Sequence, residues 1–284
     1  MKLLVFDFLL SFTAKILDTA TVALYTPNRK HESLTSIFGI ICHFTTKDTL
    51  VNSLQQYFSQ VPILGSLSDE AQRNLERSAE QRQYRRRQVV HFPDQAADFI
   101  FLLCEGRVKL SRVSEQGREI TLYLLEGTGL FGEIGLLSDK ITYELMAETA
   151  QDSKIAVFRR ADLIDAMTQC EISTLEVARL IGQRRSVIES SIADLIFLEV
   201  PKRIAKLLLR MLDSQGAKGQ KGGILLKSKF THQELANMIG STRETTTLIL
   251  NDFKRQGMID FNGRRVVIKD VELLHAMVRN GNPN

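Results

Sequence analysis

At 284 residues, 44% hydrophobic and 25% charged, the chain has room for about two domains and the makeup of an ordinary globular protein, which excludes low-complexity, collagen-like and dominantly disordered classes. The net charge of +4 is unevenly placed: residues 201–284 carry 15 Lys and Arg against 7 Asp and Glu, and residues 1–200 carry 22 against 26. A basic C-terminal third fits either a solvated basic surface or an anionic partner.

The chain opens Met1-Lys2-Leu-Leu-Val-Phe-Asp-Phe-Leu-Leu. Asp7, Lys15 and Asp18 break this run far short of the roughly 20 apolar residues that span a bilayer, so no anchor or export signal is expected. Residues 1–48 read as an N-terminal extension of unknown role. Residues 49–170 read as one domain. It begins with helical spacing at Leu50, Leu54, Phe58, Leu67 and Leu75, followed by Gln81 to Arg87, read as a solvated edge. Between Val89 and Phe158, the runs Phe99–Leu103, Arg107–Val113 and Glu119–Leu125 are separated by Gly106, Gly117, Gly127 and Gly129. Short strands with glycine punctuation predict a small antiparallel barrel or roll.

Cys42, Cys104 and Cys170 are scattered and odd in number, which argues against a disulfide framework or a Cys-x-x-Cys metal site and fits a reducing cytoplasm. Cys104, inside the apolar run, reads as a small buried residue. A long helix is predicted from Ile172 to Leu198, within a segment 171–200 that serves as dimerisation helix and hinge. Ile181, Ile188 and Leu195 recur every seven residues with Ile192 beside them, a seam suited to a partner helix. Packing of the same stripe on the chain's own roll is the alternative reading. Arg184 and Arg185 interrupt it, so the coiled coil is expected to be partial.

Residues 201–284 hold the most informative motif. In Thr231-His-Gln-Glu-Leu-Ala-Asn-Met-Ile-Gly240, Thr231 can cap a helix and Glu234 can complete a capping box. Ala236 is small where a second helix must pass, and Gly240 supplies the positive φ of a tight turn. Ser241 or Thr242 then caps a second helix from Arg243, with Leu248, Ile249 and Phe253 expected to hold it on the domain. Met258 to Lys269 reads as two strands around an Asn262-Gly263 turn. This order predicts a winged helix-turn-helix that binds double-stranded DNA. Arg243 can pair bidentately with guanine and Glu244 can accept from cytosine. Thr231, Thr242, Thr245 and Thr247 suit phosphates or a thymine methyl, and Arg264 and Arg265 at the wing tip suit phosphates.

With these residues in view, the chain from about Leu50 to Lys269 resembles the Crp/Fnr family of bacterial transcription regulators. The resemblance rests on Glu105-Gly-Arg-Val-Lys-Leu, Leu130-Phe-Gly-Glu-Ile-Gly-Leu-Leu, Phe197-Leu-Glu-Val-Pro-Lys-Arg-Ile-Ala and Thr231-His-Gln-Glu-Leu-Ala-x-x-Ile-Gly-Ser-Thr-Arg-Glu-Thr. It implies an α+β chain: a cyclic-nucleotide-binding-like β-roll (a double-stranded β-helix), a long dimerisation helix and a C-terminal winged helix-turn-helix. It also implies a homodimer on a near-palindromic site and contact with RNA polymerase.

By the same resemblance, an effector pocket involves Gly132, Glu133 and Ile134 on the roll, Ile141 and Thr142 on the following loop, and Ile188 and Glu189 on the long helix. Gly132-Glu133 match the pair that holds a nucleotide ribose in cyclic-AMP-binding members. Ile141 and Thr142 stand where those members place a phosphate-binding Arg-Ser, and Ile188-Glu189 where they place a base-contacting Thr-Ser. An isoleucine cannot neutralise a phosphate, and a buried unpaired anion costs several kcal/mol. Cyclic AMP is therefore not the expected effector, and 2-oxoglutarate, sensed by nitrogen regulators of the family through an arginine at that position, is doubtful on the same ground. Three scattered cysteines do not suit an iron-sulfur cluster. An effector-independent regulator, or one responding to a cyclic nucleotide through an atypical phosphate site, remains the alternative.

Many members carry a second recognition arginine where this chain has Leu248, and an apolar residue where it has Thr246, so the half-site is expected to depart from the family's. No catalytic residues or metal ligands are expected. Gly-x-Ser-x-Gly, His-Glu-x-x-His and phosphate-loop motifs are missing from the sequence, and His31, His43, His91, His232 and His275 form no ligand-spaced cluster.

Overall fold

The computed structural model describes residues 53–137, 142–168, 170–218 and 223–280. The N-terminal extension, Leu50, Cys42, His31, His43 and Ile141 lie outside the described residues. Three short helices come first: α1 (Gln55–Phe58), α2 (Pro62–Gly65) and α3 (Asp69–Ser78). Ser68 caps α3 by accepting from the Ala71 amide at 3.2 Å, and Asp69 and Glu70 sit in its first turn, where the helix dipole favours carboxylates. Leu54, Phe58, Leu67 and Leu75, the residues with helical spacing, are all buried.

The strands β1 (Glu80–Tyr84), β2 (Val89–His91), β3 (Phe99–Glu105), β4 (Arg107–Val113), β5 (Glu119–Glu126), β6 (Gly129–Phe131), β7 (Met146–Thr149) and β8 (Ser153–Arg159) follow. They form two four-stranded sheets, β1-β8-β3-β6 and β2-β7-β4-β5, with every pair antiparallel. The first sheet is covered on both faces. Phe101 and Leu103 of β3 meet Leu110, Leu125, Phe131 and Ile155 in one core, while Ile100, Leu102 and Cys104 meet Phe58, Leu64 and Leu75 of the helices in another. Burial on both faces is why this strand reads as an unbroken apolar run. It also pushes the Cys104 thiol up to about 11, so Cys104 behaves as a small apolar residue.

After α4 (Arg160–Met167) comes α5 (Glu171–Phe197), the predicted long helix. Its inner face lies on the chain's own roll: Val177 and Arg184 are buried, and Leu180 and Ile181 pack on the helical core. Ile181, Ile188 and Leu195 of the expected seam are half-buried, whereas Ile192 is exposed. Ile172, Leu175, Val187 and Ile196 are exposed with it.

Pro201 sits in the first turn of α6 (Val200–Gln215), where its missing N–H costs nothing. The remaining elements are β9 (Gly216–Lys218), β10 (Ile224–Leu226), α7 (His232–Ile239), α8 (Arg243–Arg255), β11 (Ile259–Asn262), β12 (Arg265–Ile268) and α9 (Val271–Asn280). They surround a third core that includes Leu208, Leu226, Leu235, Phe253, Met258, Val266 and Leu274. The wing is wider than the sequence suggests, because β10 and β9 extend the hairpin into a sheet ordered β11-β12-β10-β9.

Gly106 makes the turn from β3 to β4 at φ +108°, and a Cβ there would stand 2.2 Å from Ser153 Oγ and 2.7 Å from Ser153 Cα. Gly106→Ala is expected to lose about 2 kcal/mol or more of stability, from backbone strain plus steric overlap. Urea denaturation of the two proteins measures it.

Candidate nucleic-acid interface and sensor cavity

Local hydrogen bonds build the helix pair. Thr231 Oγ1 accepts from the Glu234 amide at 3.2 Å, and Glu234 Oε2 accepts from the Thr231 amide at 2.7 Å, closing the predicted capping box. The Glu234 carboxyl is held below its usual range: burial opposes ionisation, but hydrogen bonds from Thr231 and Arg86 outweigh it. Gly240 ends α7 at φ +60°, as expected. A Cβ there would also lie 2.5 Å from Leu195 Cδ2, so the glycine lets the long helix approach the turn. Ala236 is fully buried. Thr242 caps α8 by accepting from the Thr245 amide at 3.1 Å.

The first turn of α8 presents Arg243 and Glu244 to solvent beside exposed Thr242 and half-buried Thr245. The helix is held from below by Thr246, Leu250 and Phe253, all fully buried, with Ile249 packed against the same core. Leu248 departs from expectation: it is 70% exposed and holds nothing. Two residues along a helix turn about 200°, so Leu248 faces away from both Thr246 and Leu250. Thr247 is occupied internally, since its hydroxyl lies 2.7 Å from the Arg243 carbonyl and 2.8 Å from His232 Nδ1. Thr231 is likewise committed to its cap.

In the wing, Asn262 pairs with Arg265, so the loop is Gly263-Arg264, one residue later than expected. Arg264 is exposed at the tip. Arg265 is not at the tip but begins β12, where it is half-buried.

A second site lies inside the roll, a cavity of about 120 Å³ lined by Gly132, Glu133, Ile134, His91, Leu110, Tyr143, Glu144, Leu145 and Arg184. Gly132, at φ +79°, begins a 3-10 turn (Glu133–Leu136) that carries Glu133. Arg184 reaches in from α5, donates to the Glu133 carboxylate and to the Leu130 carbonyl, and lies 5.0 Å over the Tyr123 ring. His91 stacks on Tyr143 with ring centroids 3.8 Å apart and neighbours Phe101 and Phe131. Neither nitrogen of its buried ring has a hydrogen-bond partner among the described residues, and burial pushes its pKa down to about 4.

Three of the expected pocket residues, Gly132, Glu133 and Ile134, come together here. Thr142 is exposed in a bridge to Ala96, Ile188 is half-buried outside the cavity lining, and Glu189 is exposed and pairs with Arg185 at 2.7 Å. Sequence reasoning missed His91, Tyr143 and Arg184. The signal for Arg184 was available: it stands one turn before Ile188 on the helix face that turns toward the roll, where a charge needs a buried partner.

Residues 202–277 match the Crp-like helix-turn-helix domain and residues 81–170 the cyclic nucleotide-binding domain. The chain is 30% identical over 183 residues to the CRP-like cAMP-activated global transcriptional regulator of Mycobacterium tuberculosis, covering 64% of this chain and 80% of that protein. It is 30% identical over 191 residues to the global nitrogen regulator of Synechococcus elongatus, covering 66% and 84%. A CRP-family transcriptional regulator from Thermus thermophilus superposes with a TM-score of 0.60 at 26% identity, covering 70% of this chain and 97% of that one. CooA from Carboxydothermus hydrogenoformans shares the fold with a TM-score of 0.64 at 22% identity, covering 82% and 97%.

Two outcomes follow from the cavity's charges. Arg184→Ala leaves Glu133 buried without its partner and is expected to cost about 3 kcal/mol, part of which the added change Glu133→Gln recovers; urea denaturation of the single and double variants measures both. His91 is neutral when folded and titrates near 6.5 when unfolded, so its contribution is complete above about pH 6.5 and is lost as pH falls toward 4. The loss is expected to reach about 3 kcal/mol. Stability curves from pH 7 to 4 should fall more steeply for the wild type than for His91→Phe.

Proposed function

Because this chain belongs to the Crp/Fnr family of transcription regulators, we propose that it acts as a homodimer on a near-palindromic DNA site. Two α8 helices enter successive major grooves about one helical turn apart. The observation that carries this reading is the first turn of α8, where Arg243 and Glu244 project from a doubly capped helix pair with buried supports. Arg243 reads guanine and Glu244 accepts from cytosine. Leu248, exposed one turn after Glu244, suits a thymine methyl rather than a second guanine. Thr242 and Thr245 at the helix N-terminus and Arg264 and Arg265 on the wing meet phosphates.

The dimer forms along the outer face of α5. Ile172, Leu175 and Ile196 lie there at the two ends of a stripe, spaced by three, four or seven residues, whose middle is Gly182, Ser186 and Ala193, small residues that let two helices approach closely. Ile192 flanks this seam, while Ile181 packs on the helical core of its own protomer and Leu195 lies against Gly240. RNA polymerase is the further partner, and the cytoplasm the site of action. Among the described residues no helix is long and apolar enough to cross a membrane.

The effector is a small molecule other than cyclic AMP. Ile141 offers no charge to a phosphate, and Arg184 and Glu133 already satisfy one another beside the His91–Tyr143 stack. An effector that competes for Glu133 would move α5, which is tied to the DNA-binding half by Lys206 Nζ donating to Asp194 at 2.5 Å and by the close approach of Leu195 to Gly240. No iron-sulfur cluster is assigned, since Cys104 is buried on β3 and Cys170 lies apart at the start of α5.

A selected-site footprint tests the reading. Protection of two inverted half-sites is expected, and Arg243→Ala should lose about 1–3 kcal/mol of discrimination at one guanine in each half. Protection without inverted symmetry, or equal discrimination by Arg243→Ala, would contradict it.

A further inference from the structure

We propose that the cleft between the β-roll and the winged helix is a separate ligand site, one that takes a small oligophosphate anion. The cleft encloses about 580 Å³, within the range of small-molecule sites. Arg86 and Arg107 stand on its roll side, and Lys227, Lys229, Arg264 and Arg265 on its DNA-domain side. Only two carboxylates line it, and both are engaged. Glu126 pairs with Arg107 at 2.6 Å and accepts from Ser228 Oγ at 3.0 Å and Gln215 Nε2 at 3.2 Å. Glu234 pairs with Arg86 at 2.6 Å and closes the capping box.

Four cations therefore share the cleft with no ion-pair partner among the described residues, and Arg265 Nε is buried without a hydrogen bond. Like charges lining one cleft repel, and an anion carrying several charges relieves that repulsion while filling open donors. The wall behind them is fixed, because the Arg107 guanidinium lies 4.5 Å over the Phe230 ring and reaches the Lys229 carbonyl at 3.4 Å. Backbone at Gly106 and Gly127 forms part of the lining and leaves the space open. Resting on the wing's proposed role, the inference has a regulatory consequence: the anion occupies Arg264 and Arg265, so it competes with DNA and weakens binding.

The test titrates the full chain with inorganic triphosphate by calorimetry at ionic strength held constant with chloride, and repeats a duplex-binding titration with and without triphosphate. Saturable binding of one triphosphate per protomer is expected, weakened about tenfold or more by K227Q/K229Q. Triphosphate should raise the wild-type Kd for duplex and leave that of K227Q/K229Q insensitive. Duplex binding without saturable triphosphate binding would overturn the site, as would a double variant that binds triphosphate as well as the wild type or loses only DNA. Triphosphate binding with no duplex binding would support the site and overturn the proposed function instead.

Discussion

A guanidinium buried inside the β-roll fixes where everything beyond the roll can go. Arg184 leaves the long helix to meet Glu133 and the Leu130 carbonyl, with Tyr123 against its face. Desolvating both charges is costly, and the pair holds because each has a close partner of opposite sign and the guanidinium a further carbonyl. That requirement sets the rotation of α5 about its own axis. Ile181 then faces the roll, Ile172, Leu175 and Ile196 face outward, and Asp194 and Leu195 arrive where Lys206 and Gly240 await them. The cavity at Glu133 and the DNA-binding half thus share one rigid element. A ligand acting at Glu133 acts on that element directly.

On the DNA side the constraint is different. The recognition surface depends on hydrogen bonds that are nearly all local: Thr231 with Glu234, Thr242 with Thr245, and the left-handed Gly240 between them. These leave Arg243 and Glu244 exposed on a stiff frame, so the side chains proposed to meet base edges owe little to loop order. The basic cleft behind the wing uses Glu234 a second time, through Arg86. One carboxylate therefore serves both the helix cap and a contact between the roll and the DNA-binding half.

What was legible in the sequence divides along the same line. The capping box, the Gly240 turn, the length of α5 and the strand run at Phe99 were visible because each is decided within a few residues. Leu248 was misplaced because an apolar residue in a helix was assumed to face inward, whereas Thr246 and Leu250 fix the opposite face. The heptad at Ile181, Ile188 and Leu195 was real as a pattern but silent on its partner, since a stripe that packs on its own chain, as Ile181 does, has the same period as one that packs on a second copy. His91 and Tyr143, and Glu133 as the partner of Arg184, were missed because their roles exist only once β2, the 3-10 turn after β6 and α5 converge from distant parts of the chain. The β9 and β10 strands escaped because a glycine-rich stretch carries no alternation to read.

The central claim is that two protomers hold one duplex through α8 and the wing. Fluorescence anisotropy with a labelled duplex carrying the footprinted site, run at saturating DNA for stoichiometry and across a series of salt concentrations for affinity, tests it most directly. Two protomers per duplex are expected, with log Kobs falling against log salt at a slope of about −4 or steeper, the mark of phosphate contacts that release counterions. One protomer per duplex, or an affinity indifferent to salt, would contradict it.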